Sequence, residues 1–206
     1  DLYVVSGGNE YDRGDRRYQD RFYRNDGKGN FTKDMSAIPD FKISGQSVIA
    51  SDFDGDNDLD LFVGGRLIPG KYPAPEDSYL LKNENGQFVD VTDQIAPELR
   101  QLGMVTDAVF TDYDKDGDED LIVVGEWMKI QVFENDGNVY SDQTDKLNLG
   151  DSRAWWWSIE AGDFDEDGDE TPEVVGDDDA EEGDDGDAEE EEAVPSNSFF
   201  FFFLSS

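Results

Sequence analysis

Residues 52–60 read D-F-D-G-D-N-D-L-D and place an aspartate at every second position, directly before the apolar run 61–63. In a regular strand these carboxylates would lie on one face and repel one another, at a cost of roughly 3 kcal/mol for each close pair. A tight loop that turns them inward around one hard cation converts this repulsion into attraction. Calcium suits such a loop best, because it accepts about 6–8 oxygen ligands in flexible geometry. Taken alone, the segment is equally compatible with a solvated acidic turn.

The aspartate pattern occurs three times. Residues 112–120 read D-Y-D-K-D-G-D-E-D and residues 163–171 read D-F-D-E-D-G-D-E-T, so the loops start at positions 52, 112 and 163, which are 60 and 51 residues apart. The sixth loop position is Asn57, Gly117 or Gly168. These residue types adopt a left-handed backbone most readily, and a ligand loop needs such a reversal. Three copies with the same turn chemistry favour calcium binding.

Each repeat also contains a predicted β-hairpin, in which a polar turn with glycine separates two short strands. The hairpins span residues 21–31, 79–88 and 131–140, and the short strands that precede the aspartate loops span residues 46–50, 105–110 and 155–161. The unit therefore has about four short strands and no helical periodicity. Repeats of this kind predict an all-β fold built of β-propeller blades, about three in this sequence. The three tryptophans at 155–157 are most simply core residues between blades, and a sugar-stacking platform is the alternative.

Composition excludes several classes of function. The 206 residues carry a formal net charge of −36 with only 16 lysines and arginines, which argues against nucleic-acid binding and against attraction to anionic membranes. The absence of cysteine and histidine excludes disulfides, thiolate or imidazole metal sites, and Ser-His-Asp nucleophiles. No apolar run is long enough to cross a bilayer, so we expect no direct membrane insertion.

The two ends of the sequence differ in character. The start, D-L-Y-V-V-S-G-G, resembles the strands that follow the aspartate loops, so we expect Asp1 to be the ninth position of a loop and the sequence to be part of a longer protein. Residues 1–176 form the predicted partial propeller. Residues 177–206 form an acidic low-complexity tail, with 12 acidic residues among the 16 of Asp177–Glu192, and we interpret it as disordered or as a sequence artefact.

Two motifs carry a family resemblance: D-x-D-x-D-[GN]-D-x-[DT] before an apolar strand, and N-x-G-x-G-x-F in a hairpin. They resemble the FG-GAP/VCBS repeats of integrin α-subunits and of many secreted or cell-surface bacterial proteins. The connections at residues 64–73 and 18–21 are similar to those of the bacterial group related to cartilage acidic protein. The resemblance implies a β-propeller, commonly of seven blades, with calcium in the loop between the first two strands of a blade.

The resemblance also implies a set of metal ligands. Side-chain oxygens would come from loop positions one, three, five and nine, and a main-chain carbonyl from position seven. The corresponding residues are Asp52, Asp54, Asp56 and Asp60 with the carbonyl of Asp58, then Asp112, Asp114, Asp116 and Asp120 with the carbonyl of Asp118, then Asp163, Asp165 and Asp167 with the carbonyl of Asp169. Thr171 replaces the last carboxylate of the third loop, which should weaken that site. An EF-hand would need a glutamate at position 12 between two helices, where this sequence has Val63, Val123 or Val174.

The predicted function is a non-enzymatic, calcium-stabilised scaffold at the cell surface, outside the cell or in the periplasm. Its partners would be a protein or glycan ligand, as in adhesion, and the remaining blades of the full-length chain. The alternative is a secreted polysaccharide lyase that uses a lysine, arginine or tyrosine as its base. The candidate contacts to a ligand are Arg13, Arg16, Arg17, Tyr18, Arg66, Tyr72 and Trp127.

Overall fold

The computed structural model describes residues 1–137 and 139–162, and over this part of the chain the fold is all-β. The strands are β1 (Leu2–Val4), β2 (Arg21–Asn25), β3 (Phe31–Lys33), β4 (Gly45–Ser51), β5 (Asp60–Gly65), β6 (Tyr79–Asn83), β7 (Phe88–Asp90), β8 (Met104–Thr111), β9 (Asp120–Met128), β10 (Gln131–Asn135), β11 (Tyr140–Asp142) and β12 (Ala154–Trp155). One four-residue helix, α1 (Thr92–Ile95), and 3₁₀ turns at Arg16–Tyr18 and Pro97–Leu99 lie between strands. Within the described residues, no helix is both long and apolar enough to cross a bilayer.

The strands form three antiparallel sheets in chain order. The first sheet is β1-β2-β3, the second is β4-β5-β6-β7, and the third runs β11-β10-β9, with β8 and β12 both paired to β9. The second and third sheets repeat the predicted unit of strand, aspartate loop, strand and hairpin. The first sheet has the strands that follow the loop in that unit. Over the described residues the three sheets do not close into a ring.

The core lies between neighbouring sheets. Phe62 in β5 packs with Val105 and Leu121 of the third sheet, whereas Val63 on the opposite face of β5 packs with Tyr3 of the first sheet. Every residue of β5 is buried, because apolar residues cover both faces of this strand. This is why residues 61–63 read as a continuous apolar run rather than as an alternating pattern.

The last residue of β5 and one residue within β9 must be glycine, because the backbone of a neighbouring segment lies against each of them. A Cβ atom on Gly65 would lie 2.1 Å from the carbonyl oxygen of Asp77, and one on Gly125 would lie 2.2 Å from the carbonyl oxygen of Met104. No side chain fits at those distances. The glycines after the apolar runs therefore allow close packing between neighbouring segments.

Most of the predicted strands are confirmed, and one is wrong. The three hairpins and the strands at 46–50 and 105–110 are present with slightly longer bounds. The predicted strand at 155–161 is reduced to β12, and residues 156–162 are not strand. The interpretation of the tryptophans as core holds only for Trp156, which is partly buried and donates its indole N–H to the carbonyl of Met128 at 3.1 Å. Trp155 and Trp157 are each almost half exposed.

Candidate metal centre

The first aspartate loop, residues 52–60, connects β4 to β5 and is closed by its own carboxylates. Asp52 accepts hydrogen bonds from the backbone N–H groups of Asp56 (3.0 Å) and Asn57 (2.8 Å). Gly55 and Asn57 have φ values of 73° and 70°. The left-handed backbone predicted at position six is therefore confirmed, and position four adopts it as well. These two reversals turn alternate side chains toward one centre.

The second loop, residues 112–120, connects β8 to β9 with the same bonds. Asp112 accepts from the backbone N–H groups of Asp116 (3.1 Å) and Gly117 (3.0 Å). The left-handed positions are again four and six, with φ of 63° at Lys115 and 99° at Gly117. Lys115 shows that the left-handed backbone at position four does not require glycine. The same loop conformation is therefore a shared feature of the two repeats.

Three carboxylates converge in each loop. In each triplet one oxygen from every member lies within 4.8 Å of the others, and the triplets are Asp52, Asp54 and Asp56, then Asp112, Asp114 and Asp116. Positions one, three and five of both loops thus come together as predicted. The third loop, with Asp163, Asp165, Asp167 and Asp169, lies outside the described residues, as does the tail at 177–206.

The ninth position of each loop is a buried carboxylate at the start of a strand. Asp60 and Asp120 are fully buried, and each accepts a hydrogen bond from a hairpin backbone N–H group, that of Asn83 (2.7 Å) or Asn135 (2.8 Å). Burial, with a smaller contribution from the neighbouring carboxylates, raises the pKa of both groups to about 7. Each carboxylate therefore joins its loop to the adjoining hairpin.

The first loop retains buried oxygens that accept no hydrogen bond. They are one carboxylate oxygen each of Asp54, Asp58 and Asp60. Burying a charged oxygen without a donor is costly, so three in one loop form a set of atoms that a hard cation would satisfy. The all-oxygen donor set fits calcium. The valines at position 12, Val63 and Val123, lie buried within β5 and β9, which is incompatible with an EF-hand helix at that place.

The seventh position behaves differently in the two loops. Burial and the charge of Asp56 raise the pKa of Asp58, whereas Asp118 accepts a hydrogen bond from the backbone N–H of Gly137 at 3.0 Å. The carbonyl ligation assigned to these two residues stays a prediction.

Two charged residues at the loops were missed by the sequence analysis. The Lys82 ammonium in β6 donates to Asp54 and lies 3.3 Å from the Asp56 carboxylate. Glu134 in β10 accepts a hydrogen bond from the hydroxyl of Tyr113, the second residue of the other loop, at 3.2 Å. Both residues immediately precede the hairpin asparagine that binds the ninth aspartate, and this spacing is the signal that could have found them.

The candidate ligand contacts differ in exposure and pairing, and Arg16 is exposed. Tyr18 is buried, which makes its prediction as a contact wrong. Arg13, Arg17 and Arg66 are paired with Glu76, Asp15 and Glu126 respectively. Tyr72 and Trp127 are each half exposed, and the indole N–H of Trp127 donates to the hydroxyl of Tyr72 at 2.8 Å.

Tyr72 and Trp127 belong to a continuous exposed aromatic surface. The ring of Trp127 lies 5.1 Å from that of Trp155, which lies 5.8 Å from that of Trp157. Trp127 has a φ of 59°, which is rare for a bulky residue, and Arg153 donates to its carbonyl at 2.6 Å. We call Tyr72, Trp127, Trp155 and Trp157 the aromatic surface.

Fold and site together define an all-β repeat protein in which an acidic loop joins β4 to β5 in the second sheet and β8 to β9 in the third. The sequence profile of the FG-GAP-like repeat matches residues 1–63 and 112–170, which is more than half of the chain. The chain belongs to the FG-GAP-like repeat family, as the motifs predicted. A search of curated proteins found no match.

Proposed function

We propose that this chain is a calcium-binding part of an extracellular β-propeller scaffold that binds a protein or glycan without catalysing a reaction. The observation that carries the proposal is the first loop, where three carboxylates converge within 4.8 Å and buried oxygens of Asp54, Asp58 and Asp60 lack hydrogen-bond donors. The second loop repeats the convergence.

Calcium would be held by the predicted ligands of each loop. Asp52, Asp54, Asp56 and Asp60 supply carboxylates in the first loop and Asp112, Asp114, Asp116 and Asp120 in the second, with the carbonyls of Asp58 and Asp118. When bound, the ion supplies positive charge that neutralises the loop. Asp60 and Asp120 also hold the backbone of the adjoining hairpin, so the ligand set connects the turn to three strands of its sheet. The bound ion would stabilise the fold, because neutralising the carboxylates removes the repulsion that favours opening of the loop.

Three features support the propeller and its location. Strands β4-β5-β6-β7 of the second sheet and β8-β9-β10-β11 of the third are paired in the same order, and the two sheets share one apolar core, as propeller blades do. Further blades would be needed to close the ring. Extracellular modules bind calcium with Kd values of about 10⁻⁴–10⁻³ M, which suits the calcium concentration outside the cell. FG-GAP repeats are also common in extracellular proteins.

The aromatic surface supports ligand binding. Exposed contiguous aromatic residues mark interaction sites more often than scattered ones do, and strained backbone such as that of Trp127 clusters at functional sites. Hydrogen-bonding groups border the rings, among them the Tyr72 hydroxyl, which donates to Glu126 at 3.4 Å. Aromatic faces beside such groups are suited to the apolar faces and hydroxyls of a sugar.

Calcium titration of the chain by isothermal calorimetry, with thermal unfolding in calcium and in chelator, tests the proposal. We expect sites of sub-millimolar to millimolar Kd and a higher melting temperature in calcium. Absence of binding together with unchanged melting would show that the loops are solvated turns. Binding to immobilised glycans or cell-surface proteins without turnover would support the scaffold, whereas release of unsaturated sugars from uronate polymers would contradict it.

A further inference from the structure

A lysine of the neighbouring strand β6 contacts the first loop. β5 and β6 pair Leu61 with Leu81, which brings the next residue, Lys82, alongside the start of β5. Its ammonium donates to Asp54 and lies 3.3 Å from Asp56, so it contacts two of the three carboxylates that converge in the loop. The side chain of Asp54 is only 6% exposed, and its second oxygen still lacks a donor. Lys82 therefore neutralises the site in part and leaves the rest of its oxygens unsatisfied.

The second loop has the opposite charge at the same position. β9 and β10 pair Leu121 with Phe133, so the next residue, Glu134, takes the place of Lys82. Tyr113 holds its carboxylate through a 3.2 Å hydrogen bond, whereas the first loop has Phe53 at the corresponding position. Glu134 thus adds negative charge beside the second triplet.

The two loops are closed by corresponding backbone hydrogen bonds, which do not offset the difference in charge between Lys82 and Glu134. Each first aspartate closes its loop through two backbone N–H groups, and each ninth aspartate binds a hairpin asparagine. Within the loops, Lys115 and Glu119 of the second replace Gly55 and Leu59 of the first, and their formal charges cancel. The net difference in charge between the two sites therefore comes from the third strand of each sheet, which carries Lys82 or Glu134.

We propose that the Lys82 ammonium is a built-in competitor of the divalent cation in the first loop, and that the second loop, with Glu134, is the tighter site. This inference rests on the calcium function proposed above. Calcium can enter the first loop only when the ammonium leaves Asp54 and Asp56, and the flexible, one-third exposed lysine side chain can move into solvent. Removal of calcium should accordingly destabilise the second loop more than the first, which Lys82 continues to neutralise.

The test compares calcium titrations of the chain with Lys82 intact, with Lys82→Met, and with Lys28→Met as a control of equal charge. Lys28 is exposed in the hairpin turn between β2 and β3. Lys82→Met should lower the Kd of one site by about tenfold, which corresponds to about 1.4 kcal/mol. It should also lower the melting temperature in chelator and enlarge the rise that calcium produces. A purely structural lysine would lower melting equally in both conditions and would not tighten binding.

The outcomes separate this inference from the calcium function. Tighter binding at one site in Lys82→Met, with Lys28→Met unchanged, supports the competitor. A calcium site that becomes measurable only in Lys82→Met also supports the competitor. Calcium binding by the wild type with no tightening in Lys82→Met overturns the competitor and leaves the calcium function standing. No binding by any of the three proteins overturns both.

A second pair of variants covers the case in which Lys82→Met does not fold. Glu134→Lys places an ammonium beside the second loop at the position that corresponds to Lys82, and Glu134→Gln removes the charge alone. We expect Glu134→Lys to weaken the tighter site about tenfold more than Glu134→Gln does. Equal effects of the two substitutions would overturn the inference.

Discussion

Replacing Asp60 by asparagine should change stability in opposite directions with and without calcium. One carboxylate oxygen of Asp60 accepts the Asn83 backbone N–H at 2.7 Å, and the other is buried without a donor. Asparagine can keep the first bond through its carbonyl oxygen and remove the buried charge. In calcium, the same substitution removes a predicted ligand.

The magnitude follows from the pKa of Asp60, which burial raises from 3.8 to about 7. A folded-state pKa above the unfolded value means that stability is fully present below pH 3.8 and is lost as the pH rises through 7. At about 1.4 kcal/mol for each pH unit, the ionised group costs up to ~4 kcal/mol above pH 7. The Lys82 ammonium beside the loop carboxylates reduces this cost, and we expect Asp60→Asn to gain about 2 kcal/mol in chelator at pH 8.

The assay is urea unfolding at pH 8 in chelator and in millimolar calcium, with Asp120→Asn as the matched comparison. Both oxygens of Asp120 accept backbone N–H groups, from Tyr113 at 3.0 Å and from Asn135, so an amide there places its NH₂ group against a donor. Because of this mismatch, the free energy of unfolding of Asp120→Asn in chelator should be about 1–3 kcal/mol lower than that of Asp60→Asn. Destabilisation by Asp60→Asn of equal size in chelator and in calcium would refute this reasoning and leave Asp60 as a simple hydrogen-bond acceptor.

Three further predictions concern other parts of the molecule. Asp20 lies buried beside the Tyr3 hydroxyl, and burial is the main cause that raises its pKa to about 6. Stability is therefore lost as the pH rises from about 4 through 6. In pH-dependent urea unfolding, Asp20→Asn should remove up to about 3 kcal/mol of this loss. Gly65→Ala should destabilise by more than about 2 kcal/mol in the same assay, because its Cβ would meet the Asp77 carbonyl at 2.1 Å. Trp127→Ala should weaken glycan binding at least tenfold, measured by calorimetry on a glycan that binds the wild-type chain.

Each of these predictions has a comparison that can contradict it. An Asp20→Asn protein whose stability varies with pH as the wild type does would show that another group is responsible. Alanine at the open turn position Gly14, where a Cβ has no neighbour within 4 Å, carries only the cost of its φ of 82° and should destabilise less than Gly65→Ala. Unchanged glycan affinity in Trp127→Ala would remove the aromatic surface from the binding site. Phe31→Ala, an exposed aromatic change outside that surface, is its control.

The local plan of the repeat could be predicted from the sequence because its causes lie close together in the chain. Alternating aspartates before an apolar run specify a loop and then a strand, and the polar turn with glycine specifies a hairpin. The left-handed residue Asn57 was predicted from its own backbone preference and from its place in the loop. These features use interactions within about ten residues, so the repeat spacing sufficed to place them. The third loop and the tail remain predictions.

Contacts between residues far apart in the chain fixed which charged side chains meet at the loops and which aromatic side chains face solvent. Lys82 and Glu134 reach the loops through the register between neighbouring strands, Tyr18 is buried, and Trp155 and Trp157 are exposed. The chain sequence determined which backbone turns form, since turn preference is local. Strand pairing and the packing of one sheet on the next determined which carboxylates are neutralised and which aromatic rings face solvent, because burial and electrostatic energies depend on neighbours in space.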